Sequence, residues 1–222
     1  MKNPCILIPS YNEERTIGRI VRKLRERNFQ VLVVDDGSVD ATACIAESEG
    51  ASVIKNARNM GKGAALRAGF ADILKDGKFE SVIIMDGDDQ HEVADIAHIL
   101  KRAHETGADI VLGNRMGDTS GMPFVRIATN RFMSWLLSVL TGQKIPDTQC
   151  GFRFIKTGLL KKIKLRSSNY DIDSELLLEA AKAGGRISST LVRTVYNSGK
   201  SKINPFVDTL RFIRLLVYNA IR

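Results

Sequence analysis

Ser81-Val-Ile-Ile-Met-Asp-Gly-Asp-Asp-Gln90 drives a short apolar run straight into a cluster of carboxylates. An uninterrupted apolar run of this length reads as a strand buried on both faces, the form that strands take in parallel sheets covered by helices on each side. Such sheets bind their ligands beyond the carboxyl ends of the strands, which is where the carboxylates stand. The pattern recurs on either side. Cys5-Ile-Leu-Ile-Pro9, Gln30-Val-Leu-Val-Val-Asp35, residues 52–55 and Asp109-Ile-Val-Leu112 read as strands. Between them, helices are expected over residues 14–27, 40–49, 63–74 and 93–104. The first has Ile17, Ile20, Val21 and Leu24 at helical spacing, and Asp40 is a favourable N-cap for the second. This alternation predicts an α/β fold, a mostly parallel sheet sandwiched by helices.

Beyond Gly117 the rhythm changes. A long apolar helix is expected over 123–140, then a loop holding residues 146–153, a helix over 174–183 and a strand over 189–195. Pro205 suits the first turn of a C-terminal amphipathic helix running to residue 221. No repeat or linker interrupts the chain, so residues 1–222 read as a single domain. Residues 1–118 carry a charge of −3 and residues 119–222 carry +11, so the basic character belongs to the second half. The basic half suits a polyanionic partner or a negatively charged surface, although solvated lysines account equally well for the charge alone.

Composition narrows the classes further. With 44% hydrophobic and 26% charged residues the chain is neither disordered nor fibrous. Its longest apolar stretches, 132–140 and 215–221, fall short of the roughly 20 residues that cross a bilayer. The first ten residues lack the apolar core of a secretion signal, so a cytoplasmic location is expected. Cys5, Cys44 and Cys150 have no CxxC spacing, which argues against a disulfide frame or zinc site.

Asp86, Asp88 and Gln90 place oxygen donors together, and hard cations such as Mg²⁺ or Mn²⁺ take oxygen ligands. Mg²⁺ engages one or two carboxylates and fills its shell with water and phosphate oxygens, so the cluster implies a phosphorylated ligand. An acidic turn capping the next helix is the plainer alternative. Gly61-Lys62-Gly63 lacks the spacing of a P-loop, and no GxGxxG follows the first strand; a P-loop ATPase and a dinucleotide-binding enzyme are both disfavoured.

Six segments stand in order: Pro9-Ser-Tyr11-Asn-Glu13, Asp35-Asp36-Gly-Ser38, Gly61-Lys-Gly-Ala-Ala65, Asp86-Gly87-Asp88-Asp-Gln90, Gly113-Asn-Arg115 and Asp147-Thr-Gln-Cys-Gly-Phe-Arg153. In this order they resemble family 2 glycosyltransferases of the GT-A fold, over nearly the whole chain. Within that family the chain is similar to the polyprenyl-phosphate branch, which includes dolichyl-phosphate mannose synthase and dolichyl-phosphate glucosyltransferase. The resemblance implies that Pro9, Tyr11, Glu13 and Asp36 hold the nucleoside of a GDP- or UDP-hexose. It implies that Asp86 and Asp88, with Gly87 between them and Gln90 beside them, bind Mg²⁺ or Mn²⁺ across the diphosphate. Arg115 and Lys202 match basic residues around the diphosphate and acceptor phosphate, and Asp173 and Glu175 match acidic positions of the family.

The implied reaction is a metal-dependent, inverting transfer of mannose or glucose to a dolichyl or undecaprenyl phosphate. Asp88, Arg115, Asp173 and Glu175 are the catalytic candidates. An alcohol acceptor would need one of Asp147, Asp173 or Glu175 as a general base, whereas an anionic phosphate needs none. A soluble family 2 enzyme acting on an alcohol or glycan is the alternative. A nucleic-acid-binding protein is disfavoured, since no helix-turn-helix, zinc or RNP signature is present. Membrane contact is expected to be peripheral, on the cytoplasmic face, or supplied by an anchoring partner. The helices over 123–140 and 205–221 would make that contact through apolar faces, opposite a narrow polar stripe in the first and a basic stripe in the second.

Overall fold

In the computed structural model, which describes residues 4–193, the apolar runs become strands of one seven-stranded sheet. They are β1 (Cys5–Ser10), β2 (Gln30–Asp35), β3 (Ser52–Lys55), β4 (Ser81–Ile84), β5 (Ile110–Asn114), β6 (Arg153–Lys156) and β7 (Ile187–Leu191). Their order across the sheet is β3-β2-β1-β4-β6-β5-β7. Every pairing is parallel except those of β6, which runs antiparallel between β4 and β5. Helices α1 (Ile17–Arg25), α2 (Thr42–Ser48), α3 (Lys62–Asp76), α4 (Ile96–Thr106), α5 (Phe124–Thr141), α6 (Thr157–Leu160) and α7 (Ile172–Lys182) cover it.

Period-two alternation sends neighbouring strand residues to opposite faces, and each face has its own core. Leu7, Leu32, Ile84 and Leu112 pack with α3, α5 and α7. Ile6, Ile8, Val33, Ile83 and Val111 pack with α1, α2 and α4. Each such aliphatic side chain, fully removed from water, contributes roughly 1.5–3 kcal/mol. The α/β sandwich expected from the sequence is therefore present.

The differences lie in the second half. The segment expected as a loop over 146–153 leads into β6, and α6 follows it at once. At four residues flanked by Arg153 and Lys156, β6 is too short and too charged at its ends for a periodicity signal. The last described strand is Ile187–Leu191 rather than 189–195, and α7 begins at Ile172 rather than 174.

Helix α5 is turned over relative to an ordinary surface helix. Asn130 and Ser134 are buried, whereas Phe132, Trp135, Val139 and Leu140 are exposed. The polar stripe faces inward because it has partners there, Asp147 and Thr148, which compensate its removal from water. Among the described residues no helix is long and apolar enough to cross a membrane. The expected C-terminal helix and Lys202 lie outside the described residues.

Candidate active site

A cleft of about 740 Å³ opens at the carboxyl ends of β1, β2 and β4. Pro9, Tyr11, Glu13 and Asp36 line it from the ends of β1 and β2. Asp86, Gly87, Asp88 and Gln90 line it after β4, Arg115 after β5, and Asp173 from α7. Glu175 is not among the lining residues. Its carboxylate accepts the backbone N–H groups of Arg166 (2.9 and 3.0 Å) and Ser167 (2.9 Å), so it anchors the loop before α7. Residue spacing along a helix cannot distinguish an anchor of this kind from a carboxylate aimed into the cleft.

That loop in turn meets the start of α3. The Ser168 carbonyl accepts from the N–H groups of Gly63 (2.9 Å) and Ala64 (3.2 Å). Gly61 has φ of +94°, and a Cβ there would lie 2.3 Å from the Ser168 oxygen, so only glycine fits this approach. Asp36 fixes the same segment from the other side, accepting from the N–H of Gly61 (2.7 Å), the N–H of Met60 (3.0 Å) and the Asn56 amide (2.8 Å). Its oxygens thus shape the cleft wall.

The consequence is the placement of Lys62. Its ammonium lies 2.9 Å from Asp86 Oδ1 and 3.2 Å from Asp173 Oδ2, joining two carboxylates from distant parts of the chain. The other Asp86 oxygen is 3.2 Å from His91 Nε2. A Cβ at Gly151 would lie 2.2 Å from that same oxygen, which accounts for glycine in the Cys150-Gly151-Phe152 turn. Burial opposes the charge on Asp86, yet Lys62 and His91 outweigh it and hold the carboxyl well below the usual range. The sequence analysis weighed Lys62 only as part of a phosphate loop. Its signal was available: a lysine at the first turn of a helix that begins above the strand ends of an α/β sheet.

Asp88 has the opposite environment. Among the described residues its side chain accepts only the Gln90 N–H (3.1 Å). Burial first, then the charge of Asp86, pushes its carboxyl up. A half-buried carboxylate with a like charge beside it and no cation of its own among the described residues is a donor set that fits a hard divalent ion. Mg²⁺ or Mn²⁺ would be held by Asp86 and Asp88, with Gln90 beside them, and phosphate oxygens and water would complete the shell. The described residues present no group of three or more His, Cys, Asp or Glu able to hold a metal unaided.

Two arginines complete the frame. Arg115 grips Asp147 through Nε (2.8 Å) and Nη2 (2.9 Å), and Asn130 Nδ2 adds a third side-chain bond to Asp147 (2.8 Å). Arg153 is fully buried and donates to the carbonyls of Cys150 (2.8 Å), Thr148 (2.6 Å) and Asp173 (2.6 Å). Burial pushes the thiols of Cys5 and Cys150 up to about 12, which disqualifies both as thiolates at neutral pH.

Residues 5–164 match the family model described as Glycosyl transferase family 2. The chain belongs to this family. Among its relatives is a dolichyl-phosphate hexose transferase of Haloferax volcanii, 30% identical, with 91% of this chain and 87% of that protein covered. The UDP-N-acetylglucosamine–dolichyl-phosphate N-acetylglucosaminyltransferase of Methanococcus voltae is 28% identical, covering 96% of this chain and 94% of that one. The fold is shared with glucosyl-3-phosphoglycerate synthase from Mycobacterium tuberculosis in complex with Mn²⁺, UDP and glucosyl-3-phosphoglycerate. That likeness has a TM-score of 0.73 at 18% identity, covering 97% of this chain and 79% of the other. The protein is a family 2 glycosyltransferase of GT-A fold, an enzyme of the sugar-nucleotide-dependent class, and its named relatives include polyprenyl-phosphate transferases.

Proposed function

We propose that this glycosyltransferase moves a hexose, mannose or glucose, from GDP- or UDP-sugar to a polyprenyl phosphate at a membrane surface, with inversion at the anomeric carbon. The observation that carries the acceptor assignment is the state of the three carboxylates singled out as general bases. Asp147 is gripped by Arg115 and Asn130, Asp173 lies between Lys62 and Arg153, and Glu175 is spent on the loop backbone. An acceptor hydroxyl would have to compete with those cations and amides for any of the three. An acceptor that is already an anion has no need of one.

Helix α5 supports the lipid reading. Its Arg126 and Met133 line the cleft, while its Phe132, Trp135 and Val139 are exposed, so one helix borders both the reaction site and an apolar surface. A polyprenyl tail kept in a bilayer against that surface would bring its phosphate to the cleft mouth. The named relatives from Haloferax volcanii and Methanococcus voltae act with dolichyl phosphate by their descriptions.

In this reading Pro9, Tyr11 and Glu13 hold the base and ribose, while Asp36 supports them through the wall it fixes. Asp86 and Asp88, with Gln90 beside them, would hold Mg²⁺ or Mn²⁺. When bound, the metal supplies Lewis-acid stabilisation of the charge that develops on the departing diphosphate. Arg115 adds a fixed cation on the acceptor side of the cleft, with Lys202 as its proposed counterpart from the C-terminal segment. Alignment of the acceptor oxygen for in-line attack then accounts for the remaining rate enhancement.

The test is product formation from a matched pair of acceptors, a short polyprenyl phosphate and the corresponding polyprenol, across GDP- and UDP-hexoses. Transfer confined to the phosphate is expected. Equal transfer to the polyprenol overturns the assignment and points to Asp171, which lines the cleft with a buried Oδ1 that has no partner among the described residues.

A further inference from the structure

We propose that Lys62 is a resident counter-cation that occupies Asp86 before the donor arrives and must leave it for a divalent metal to bind. Metal and nucleoside diphosphate then bind cooperatively. The inference rests on the metal-and-diphosphate reading of the cleft and adds to it the competitor that governs metal entry.

The geometry carries it. The Lys62 ammonium bridges Asp86 (2.9 Å) and Asp173 (3.2 Å), and its side chain is only 12% exposed. His91 holds the second Asp86 oxygen, so the carboxylate nearest Asp88 is engaged on both sides. A divalent ion seated between Asp86 and Asp88 would stand within a few ångströms of the ammonium, and like charges at that range repel strongly. Binding of metal alone therefore includes the cost of breaking the Lys62–Asp86 pair. Lys62 has somewhere to go. Asp173 retains it at one end, the Tyr170 ring lies 5.9 Å from the ammonium, and Lys62 itself lines the cleft. A diphosphate bound there offers the displaced ammonium a new anion, which makes the ligand and the metal mutually supportive. Linkage requires the coupling to be equal in both directions.

The experiment measures Mn²⁺ binding to the full chain, by the electron paramagnetic resonance signal of free Mn²⁺, with and without UDP or GDP. Wild type, Lys62→Met and Lys62→Gln are compared, with Arg126→Gln as a variant that removes a cleft-lining cation carried by a different helix, α5. Expected is weak Mn²⁺ binding by the wild type, strengthened about tenfold or more by the diphosphate, within the usual range of couplings. The Lys62 variants should bind Mn²⁺ alone about tenfold more tightly, and their coupling to the diphosphate should fall toward unity. Should either variant be poorly folded, Mn²⁺ is expected to raise its thermal midpoint more than it raises that of the wild type. Equal affinity in wild type and Lys62 variants, with diphosphate-dependent Mn²⁺ binding intact, overturns the role of Lys62 alone. The same tightening in Arg126→Gln overturns it too, since general charge would then suffice. Absence of Mn²⁺ binding in every protein, with and without diphosphate, overturns the metal reading and this inference with it.

Discussion

Asp86 and Asp147 are both acidic residues at the rim of the sheet, each facing a basic side chain, yet their surroundings differ in kind. Asp147 is fully buried and accepts from the Arg115 guanidinium and N–H, the Asn130 amide and the Gln149 N–H. Among the described residues Asp86, 29% exposed, is held only by Lys62 and His91, with Asp88 close by and no cation of its own. In the first network the carboxylate is saturated and closed to solvent, and its removal leaves buried charge behind. The second is undersupplied and opens on the cleft, where a ligand can complete it. Saturation separates a carboxylate that holds the fold from one that is available for chemistry.

The largest effect tests the closed network. Asp147→Ala strands Arg115 as an uncompensated buried charge and should destabilise the protein by about 3–5 kcal/mol, read as a lower urea midpoint. A loss below about 1 kcal/mol would break the contrast. Next comes the open network. Asp88→Asn should leave the urea midpoint near that of the wild type while lowering turnover on the order of 10²–10³-fold, the usual cost of removing one electrostatic stabiliser of a transition state. Wild-type turnover of a folded Asp88→Asn protein under chelation would sink the metal assignment.

Proton linkage sharpens the comparison, because Asp147 and Asp88, the neighbour of Asp86, shift in opposite directions. Burial would raise the Asp147 carboxyl, but the Arg115 bonds and charge outweigh it and hold it below its ordinary value. Its contribution is therefore present above about pH 3.9, the unfolded value, and is lost as pH falls through the depressed folded one. Asp88 is raised by burial and by Asp86, so the native state binds its proton more tightly than the unfolded chain does. Its ionised form opposes folding above the raised value, and that penalty disappears as pH falls toward about 3.9. Measured without metal, Asp88→Asn should be slightly more stable than the wild type at pH 7, with the difference closing in acid. Asp147→Asn should be less stable at pH 7, with the difference also closing in acid. Differences of the same sign in both would refute the distinction.

The smallest effect on stability belongs to the exposed face of α5. Trp135→Ser and Phe132→Ser should change stability by no more than about 0.5 kcal/mol, as surface substitutions usually do. If the face meets a membrane, the double variant should sediment less with anionic vesicles. Unchanged sedimentation would remove α5 from the membrane reading and leave only its Arg126 and Met133 side in the mechanism.

Where the sequence succeeded, the signal was local. A strand buried on both faces must be apolar along its length, and a helix covering it must be apolar every third or fourth residue, so β1, β2, β4, β5 and the helices between them were legible. The polar ends of those strands fell at the cleft for the same reason. What the residue pattern does not carry is the burial of a polar group that something remote answers. The inward turn of Asn130 and Ser134 is set by Asp147 and Thr148, which lie on another segment. Glu175 looked catalytic because the backbone of 166 and 167 that binds it makes no mark in a residue pattern.

The sequence by itself determined the α/β sandwich, the rim on which the acidic and basic motifs meet, and the membership of the family, because hydrophobic periodicity and motif order are properties of the chain read in one dimension. The tertiary structure alone decided which charges are spent and which remain open. Lys62 and Asp173 are 111 residues apart in the chain and 3.2 Å apart in the cleft. The state of an ionisable group is set by the charges and donors within a few ångströms of it, and those neighbours are chosen by the packing of α3 and α7 on the sheet.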